Sequence, residues 1–600
     1  MEAVTMVARP LLIAGVASLL LASPVLAVPA LAGTAGPSDQ GPGVPPPAQR
    51  IAATTATFNA IEAKIAAGQS LRLPFPDPTA QSDILDYGVN DLWQKGIDGA
   101  GVTVAYVVTN PDPNLETAMA TYDAQMNLPP ANITQMALPA PTNPNFTCVV
   151  ECSAGEDQLD AEAIHSMAPF ANILFVHPSV PETIGIQGWP QVAQAIKMIA
   201  DQHLADVISV SLGDGENSFT NDPTNPGSSQ QAAIHSLDPA FLDAAAQGVP
   251  VTFASGDCGP TDPPVLGDTG QCTPPIGVTA GHPVDNPWIT AVGGTLPNPG
   301  LATPGGRTAP DTLWFARNTH SDAEGAGVST VYPKPSWQQG IPALDGVIGR
   351  ADPDISMDAT DGTSQASPTF AGILALATQV NQGDLGTVNP ALAAIGPRGT
   401  AAGIVDVPAG FTNTAFGVTG FSTGPGYDLA SGWGTIFAPA FVPALVGAIN
   451  DQQGPDQPSR QAQDLLNQLQ GNISVSADKV TIGQTVTVTG NGFIPGRSPN
   501  GTTIVDGFGV DPPLPGQFGV SPSGPFADPT STVPGETWDD VSATLSGNHL
   551  SGQPITVSGP DGNGAVTVSV DTSGLHDGTY TVTITGRVLT QHISFQVKNN

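Results

Sequence analysis

Three short segments carry residues whose types and spacing suit acyl transfer. Asp361-Gly362-Thr363-Ser364-Gln365-Ala366-Ser367-Pro368 places serine among small residues, and the apolar run from Phe370 to Val380 then has helical period. A serine at the mouth of a buried helix suits a nucleophile, because the helix N-terminus stabilises its alkoxide. Ser364 and Ser367 would serve equally well as helix caps, with Pro368 near the first turn. In Gly155-Glu156-Asp157-Gln158-Leu159-Asp160, Glu156 and Asp160 stand four apart at a helix start, so both project from one face. If buried, one of the two must hold a proton shared with the other. Such a pair can take a proton from serine at acid pH, where histidine would already be charged. A solvated acidic first turn favoured by the helix dipole is the alternative. The third segment, Val251-Thr252-Phe253-Ala254-Ser255-Gly256-Asp257, ends a buried strand in an acid. Carboxyls at strand ends lie where α/β sites form. A protonated Asp257 could donate to an oxyanion, whereas a plain turn aspartate before Gly259 is the bland alternative.

The elements that must position these residues are legible as alternating patterns. Short apolar runs at Gly101–Val108, Ile173–Val176, Val207–Val210 and Val249–Ala254 read as buried strands. Helical patterns at Leu159–Met167, Val192–Gln202 and Ala240–Gln247 separate them, so an α/β domain with a mostly parallel sheet is expected. A histidine base would need an Asp at the end of the first strand and a His-Gly-Thr-His-type segment. That strand ends Val107-Val108-Thr109, and no such segment exists. After Gly471 the pattern changes to period two, as in Thr485-Val486-Thr487-Val488-Thr489 and Thr579-Tyr580-Thr581-Val582-Thr583-Ile584. Thr- and Val-rich strands between Gly, Asp and Asn turns indicate an all-β, Ig-like sandwich.

Composition bounds the partners. The chain has 600 residues, 52 Asp and Glu against 16 Lys and Arg, and a formal charge of −36. A basic nucleic-acid face is therefore excluded, and acidity suits either solubility or work at low pH. Arg9 precedes the apolar run Leu11–Leu21, with small-x-small sites at Val25-Leu26-Ala27 and Ala30-Leu31-Ala32, which reads as an export signal. The expectation is a secreted, extracellular monomer with no membrane contact after signal removal, acting on polypeptides. Four cysteines in an exported chain are expected to be bridged. Three pairings exist, and Cys148–Cys152 with Cys258–Cys272 is preferred because each closes a local loop. Zinc is the alternative, but no His stands at ligand spacing beside either pair. The expected organisation is a signal over 1–32, a linker and helix over 33–77, the α/β domain over 78–450, a polar linker over 451–470 and the β-sandwich over 471–600.

Taken in order, these segments resemble the sedolisin family of serine-carboxyl peptidases. Glu-x-x-Leu-Asp is followed by Ser-Gly-Asp and then Gly-Thr-Ser, and Asn286-Pro287-Trp288-Ile289-Thr290-Ala291-Val292-Gly293-Gly294-Thr295 matches as well. The resemblance covers roughly residues 78 to 450. It implies a subtilisin-like α/β fold and a serine-type endopeptidase. Ser364 would be the nucleophile, Glu156 its base, Asp160 the partner sharing the proton, and Asp257 the oxyanion group. It also implies one structural Ca²⁺, held by Asp406, Val407, Gly424, Gly426 and Asp428, a set of carboxylates and backbone carbonyls that suits a hard cation. Three departures stand out. Leu212 replaces the family's usual Trp, the segment between Pro353 and Gly362 is short, and residues 33–77 are too few for the family's large pro-domain. A catalytically idle scaffold, or an adhesin displayed through the β-sandwich, is the alternative function. A His-dependent subtilisin-type peptidase is the alternative enzyme.

Overall fold

An unbroken apolar strand can be stable only if both its faces are covered. The first strand meets that condition in the computed structural model. The model describes residues 44–69, 71, 80–108, 111–138, 155–178, 189–219, 230–261, 277–297, 302–303, 306–307, 309–315, 323–452, 457–495 and 541–599. All of these lie in one compact unit, Gly41–Asn600. The expected signal, Cys148, Cys152 and Cys272 lie outside the described residues.

In chain order the elements that frame the site begin with α1 (Pro47–Ala66), β1 (Thr103–Val107), β2 (Asn132–Ala137), α2 (Glu156–Met167), β3 (Asn172–His177) and α3 (Trp189–Asp201). They continue with β4 (Val207–Val210), α4 (Asp238–Gln247), β5 (Val251–Ala254), β6 (Thr290–Leu296), β7 (Thr312–Leu313) and β8 (Ile355–Asp358). Three helices complete the set: α5 (Thr363–Asn381), α6 (Ala438–Asp451) and α7 (Pro458–Gln470). The eight strands form one sheet in the order β7-β6-β5-β4-β1-β3-β2, with β8 also pairing β6. Every pairing is parallel except that of β7 with β6. This is a subtilisin-like α/β domain.

Period-two alternation sends β1 to both faces of the sheet. Val104 and Tyr106 join a core with Ile164 of α2, Phe370 of α5 and Phe441 of α6. Ala105 and Val107 face the opposite core, with Val192 and Ile196 of α3 and Phe241 of α4. Helices α2 and α5 cross closely at Gly372, where a Cβ would come within 2.7 Å of Met167 Cβ and 3.0 Å of the Ile164 carbonyl. Glycine there lets the two helices that carry the candidate base and nucleophile approach each other.

The stretch whose composition reads as a linker holds α7. Its Ala462 and Leu466 pack on Leu242 and Ala245 of α4, so this helix is docked on the α/β domain. Beyond it, four strands (473–475, 485–490, 566–571 and 557–558) form one sheet. Five more (479–481, 590–598, 578–585, 542–547 and 550–555) form a second. All pairings are antiparallel except that of 479–481 with 596–598. Alternate residues such as Val486, Val488 and Val568 from the first sheet meet Leu545, Val582 and Ile584 from the second in a shared core. Among the described residues, no helix is long and apolar enough to cross a membrane.

Candidate active site

Strand β8 leaves the sheet, and after four intervening residues α5 begins at Thr363. Its N-cap is Gly362, which makes no side-chain cap bond, so neither Ser364 nor Ser367 caps the helix. The cap function comes from a different segment. The Thr363 N–H donates to Asp257 Oδ1 at 2.8 Å, and its hydroxyl donates to the same oxygen at 2.7 Å. The Gly256 N–H donates to Thr363 Oγ1 at 3.1 Å, so the turn after β5 and the start of α5 are laced together. The structure also separates the two serines. Ser367 is fully buried, with its hydroxyl 3.0 Å from both Ser209 Oγ of β4 and Thr252 Oγ1 of β5. It is a tie between helix and sheet. Ser364 is half-buried at the helix mouth, where a substrate could reach it.

Glu156 and Asp160 lie on the first turns of α2, as the four-residue spacing predicts. Glu156 is half-buried, whereas Asp160 is fully buried. The Asp160 carboxyl meets the hydroxyl of Ser211, which lies 2.7 Å from its Oδ1 and 3.1 Å from the Ser364 carbonyl. Asp160 and the Ser364 backbone are thereby joined through one side chain. Burial pushes the Asp160 carboxyl well above the usual range, the Ser211 bond pulls it down, and the charge of Asp157 pushes it up again. Asp157 is itself pushed up to about 7, first by burial and then by the neighbouring carboxyl of Asp112. The Tyr106 hydroxyl is buried against this group and is also raised, by burial and by the charges of Asp157, Asp160 and Asp112. His165, the nearest histidine in sequence, is fully buried. Its Nε2 is engaged at 2.8 Å with the Pro129 carbonyl and at 3.2 Å with Asp123 Oδ1.

A further acid, which the sequence reading did not single out, supports the Asp257 turn. Glu324 is fully buried and accepts the Ser255 hydroxyl at 2.9 Å and the Gly294 N–H. The residues on either side of it clamp the same turn. Ala323 N–H donates to the Asp257 carbonyl at 2.8 Å, and Gly325 N–H to the Gly256 carbonyl at 2.8 Å. Burial pushes the Glu324 carboxyl well above its ordinary range, with Asp257 and Asp352 adding to the effect. Cys258, directly after Asp257, is disulfide-bonded. Ser211, Asp157 and Glu324 carry no local pattern that distinguishes them from surface polar residues.

The two candidate metal loops come together in the structure. The Gly426 N–H donates to Asp406 Oδ2 at 2.9 Å across the gap between them, and the Gly424 N–H donates to Asp428 Oδ2 at 2.8 Å. Val407 is buried beside them, and burial raises both carboxyls. Asp406 and Asp428 are thus brought into one loop pair, each accepting a glycine N–H, and carboxylate oxygens are the donor type a hard cation takes.

Comparison with known proteins gives a consistent picture. The Subtilase family (Peptidase S8) matches residues 147–395, a span that includes Glu156, Asp160, Asp257 and Ser364. Kumamolisin of Bacillus sp. (strain MN-32) is 28% identical over 399 residues, covering 63% of this chain and 65% of its own length. Sedolisin of Pseudomonas sp. (strain 101) is 30% identical over 303 residues, 47% of each chain. Human (Homo sapiens) tripeptidyl-peptidase 1 is 30% identical over 277 residues, 40% of this chain and 44% of its own. The chain therefore spans between 44% and 65% of the length of these relatives. Among solved structures, Pseudomonas sedolisin (serine-carboxyl proteinase), complexed with two molecules of pseudo-iodotyrostatin, aligns with a TM-score of 0.50 at 24% identity. That alignment covers 62% of this chain and 98% of the solved one, and it carries the fold.

Proposed function

We propose that this chain is a secreted serine-carboxyl endopeptidase that cleaves polypeptides at acid pH. The observation that carries the proposal is the meeting of three segments at the mouth of α5. Asp257 sits on the Thr363 N–H, and Asp160 reaches the Ser364 backbone through Ser211. The similarity to kumamolisin, sedolisin and tripeptidyl-peptidase 1 supports the same chemistry.

In this mechanism Ser364 Oγ attacks the scissile carbonyl carbon while Glu156 takes the hydroxyl proton. Asp160 shares the proton of the pair and holds Glu156 in its acid–base role. The carbonyl oxygen gains negative charge, and Asp257, in its protonated form, donates a hydrogen bond to it. Glu156 then returns the proton to the leaving amine as the C–N bond breaks, leaving an acyl-serine. Water attacks that ester with the same group as base and releases the acid product. His165 has no part in this, because its Nε2 is already engaged with Pro129 and Asp123.

Asp406, Val407, Gly424, Gly426 and Asp428 would hold one Ca²⁺, which would bind these loops together as structural support. The export signal expected over 1–32 underlies the extracellular assignment, and the two C-terminal sheets underlie the Ig-like one. The test is hydrolysis of denatured protein across pH 2–8 by the full chain, by Ser364→Ala and by Glu156→Ala. Each variant should lose several orders of magnitude of activity, and the double variant should lose little more, because the two act as a unit. An optimum near pH 8 that vanishes with His165→Ala would overturn the assignment. A full chain inactive at every pH would favour the idle scaffold.

A further inference from the structure

Ser211 has one hydroxyl proton and two neighbours that can accept it. Its Oγ lies 2.7 Å from Asp160 Oδ1 and 3.1 Å from the Ser364 carbonyl oxygen. In a regular helix that carbonyl would receive the N–H of the residue four positions on. Here that residue is Pro368, inside α5 and beyond its first turn, and proline has no N–H to give. A hydroxyl donates once. Both contacts can be hydrogen bonds together only when Asp160 carries a proton and donates it to Ser211, which then donates to Ser364. Once Asp160 is ionised, the hydroxyl turns to the charged and stronger acceptor, and the Ser364 carbonyl loses that donor.

We propose that Ser211 is a positioning residue that ties the protonation of Asp160 to the backbone of Ser364. While the acid pair keeps its proton, the turn that carries the nucleophile is held by Ser211; when the proton leaves, that hold is lost. The role rests on the peptidase function proposed above and adds a residue to it. Asp157 on its own helix and Tyr106 from β1 interact with Asp160 by charge, and Glu156 stands one turn before it on that helix. The helix Ala80–Asp86, packed against α2, adds the buried carboxyls of Asp83 and Asp86. Asp112, from the segment after β1, acts on Asp157 and Tyr106. Helix α5 brings no titratable side chain at all.

The experiment is the falling alkaline limb of the kcat/KM profile in the full chain, with two variants that should move it in opposite directions. Pro368→Ala restores a backbone N–H to the Ser364 carbonyl, so ionising Asp160 no longer deprives that carbonyl of its partner. The limb should move to lower pH by about 0.5–1 unit. Ser211→Ala removes the donor that stabilises the Asp160 carboxylate, and the limb should move to higher pH by a similar amount. Ser211→Thr, which keeps the hydroxyl, should restore the wild-type limb. In the Ser211→Ala background, Pro368→Ala should move the limb no further. A second measurement reads the same proton without turnover. The protonated-carboxyl infrared band that Asp160→Asn removes, titrated in Ser364→Ala protein, should shift in the same directions. Limb and band both unmoved by the two single variants, both variants shifting them the same way, or a Pro368→Ala shift that persists without Ser211 would each overturn the coupling. Failure of Ser364→Ala to abolish hydrolysis would instead overturn the peptidase assignment, and the infrared titration would still decide the coupling.

Discussion

A Cβ placed on Gly362 would lie 2.5 Å from Asp257 Oδ2, and the backbone there has a φ of +85°. Both facts require glycine. The positive φ is strained for any L side chain, and the contact would push the Asp257 carboxyl off the start of α5. The glycine of Gly-Thr-Ser is thus the residue that lets Asp257 and the start of α5 share one corner, the corner where the proposed mechanism puts the oxyanion donor and the nucleophile. Gly362→Ala should therefore lower kcat/KM by about 100-fold or more, since displacements near 1 Å cost that much at a reacting centre. Steady-state kinetics beside a melting curve checks this. Wild-type activity in a folded variant would mean that Asp257 is not needed where it sits.

Asp157, whose charge acts on Asp160, should make stability depend on pH. Folding raises the Asp157 carboxyl to about 7, from about 3.9 in an unfolded chain. A group raised on folding contributes stability that is fully present below its unfolded value and lost as pH climbs through its folded value. The native state should therefore weaken between about pH 4 and pH 7, on the order of a few kcal/mol for this group at about 1.4 kcal/mol per unit. Asp157→Asn should flatten that part of the curve. Urea melts at pH 4, 5.5 and 7 measure it, and an equally steep fall in the variant would show that other carboxyls, such as Glu324, dominate.

Calcium held between the 406–407 and 424–428 loops would stabilise only the folded protein. Chelator should then lower the melting temperature by on the order of 5 °C. Asp428→Ala should melt at the chelated temperature with or without metal. Identical wild-type melting curves in both conditions would remove the ion from the account.

Docking of α7 on α4 makes a prediction about where the chain can be cut. A chain ending at Asn450 would expose Leu242 and Ala245 and lose Ala462 and Leu466, which cover them. At about 1.5–3 kcal/mol for a fully buried leucine, it should be less stable than a chain ending at Gly471 by about 2–4 kcal/mol. Denaturant titration of the two truncated proteins compares them directly, and equal midpoints would mean that α7 adds nothing to the α/β domain.

The sequence by itself determined the parts of this protein that depend on local order. The strands at 103–107, 172–177 and 207–210 are visible because burial on both faces leaves an unbroken apolar run. Glu156 and Asp160 stand out because a four-residue spacing at a helix start puts them on one face, whatever the helix packs against. Ser364 and Asp257 stand out as a serine at a helix mouth and an acid at a strand end. Only the tertiary structure showed what Ser367 does, because its burial against Ser209 and Thr252 is a contact between helix and sheet. Only the tertiary structure brought in Ser211, 51 residues from Asp160 and 153 from Ser364, and Glu324, 69 residues from Ser255. The same is true of α7, whose few apolar residues look like linker until Leu242 and Ala245 are placed under them. Apolar periodicity is a property of one segment and can be read along the chain. The role of a buried polar group is set by the partner that satisfies it, and that partner is chosen by how distant segments pack.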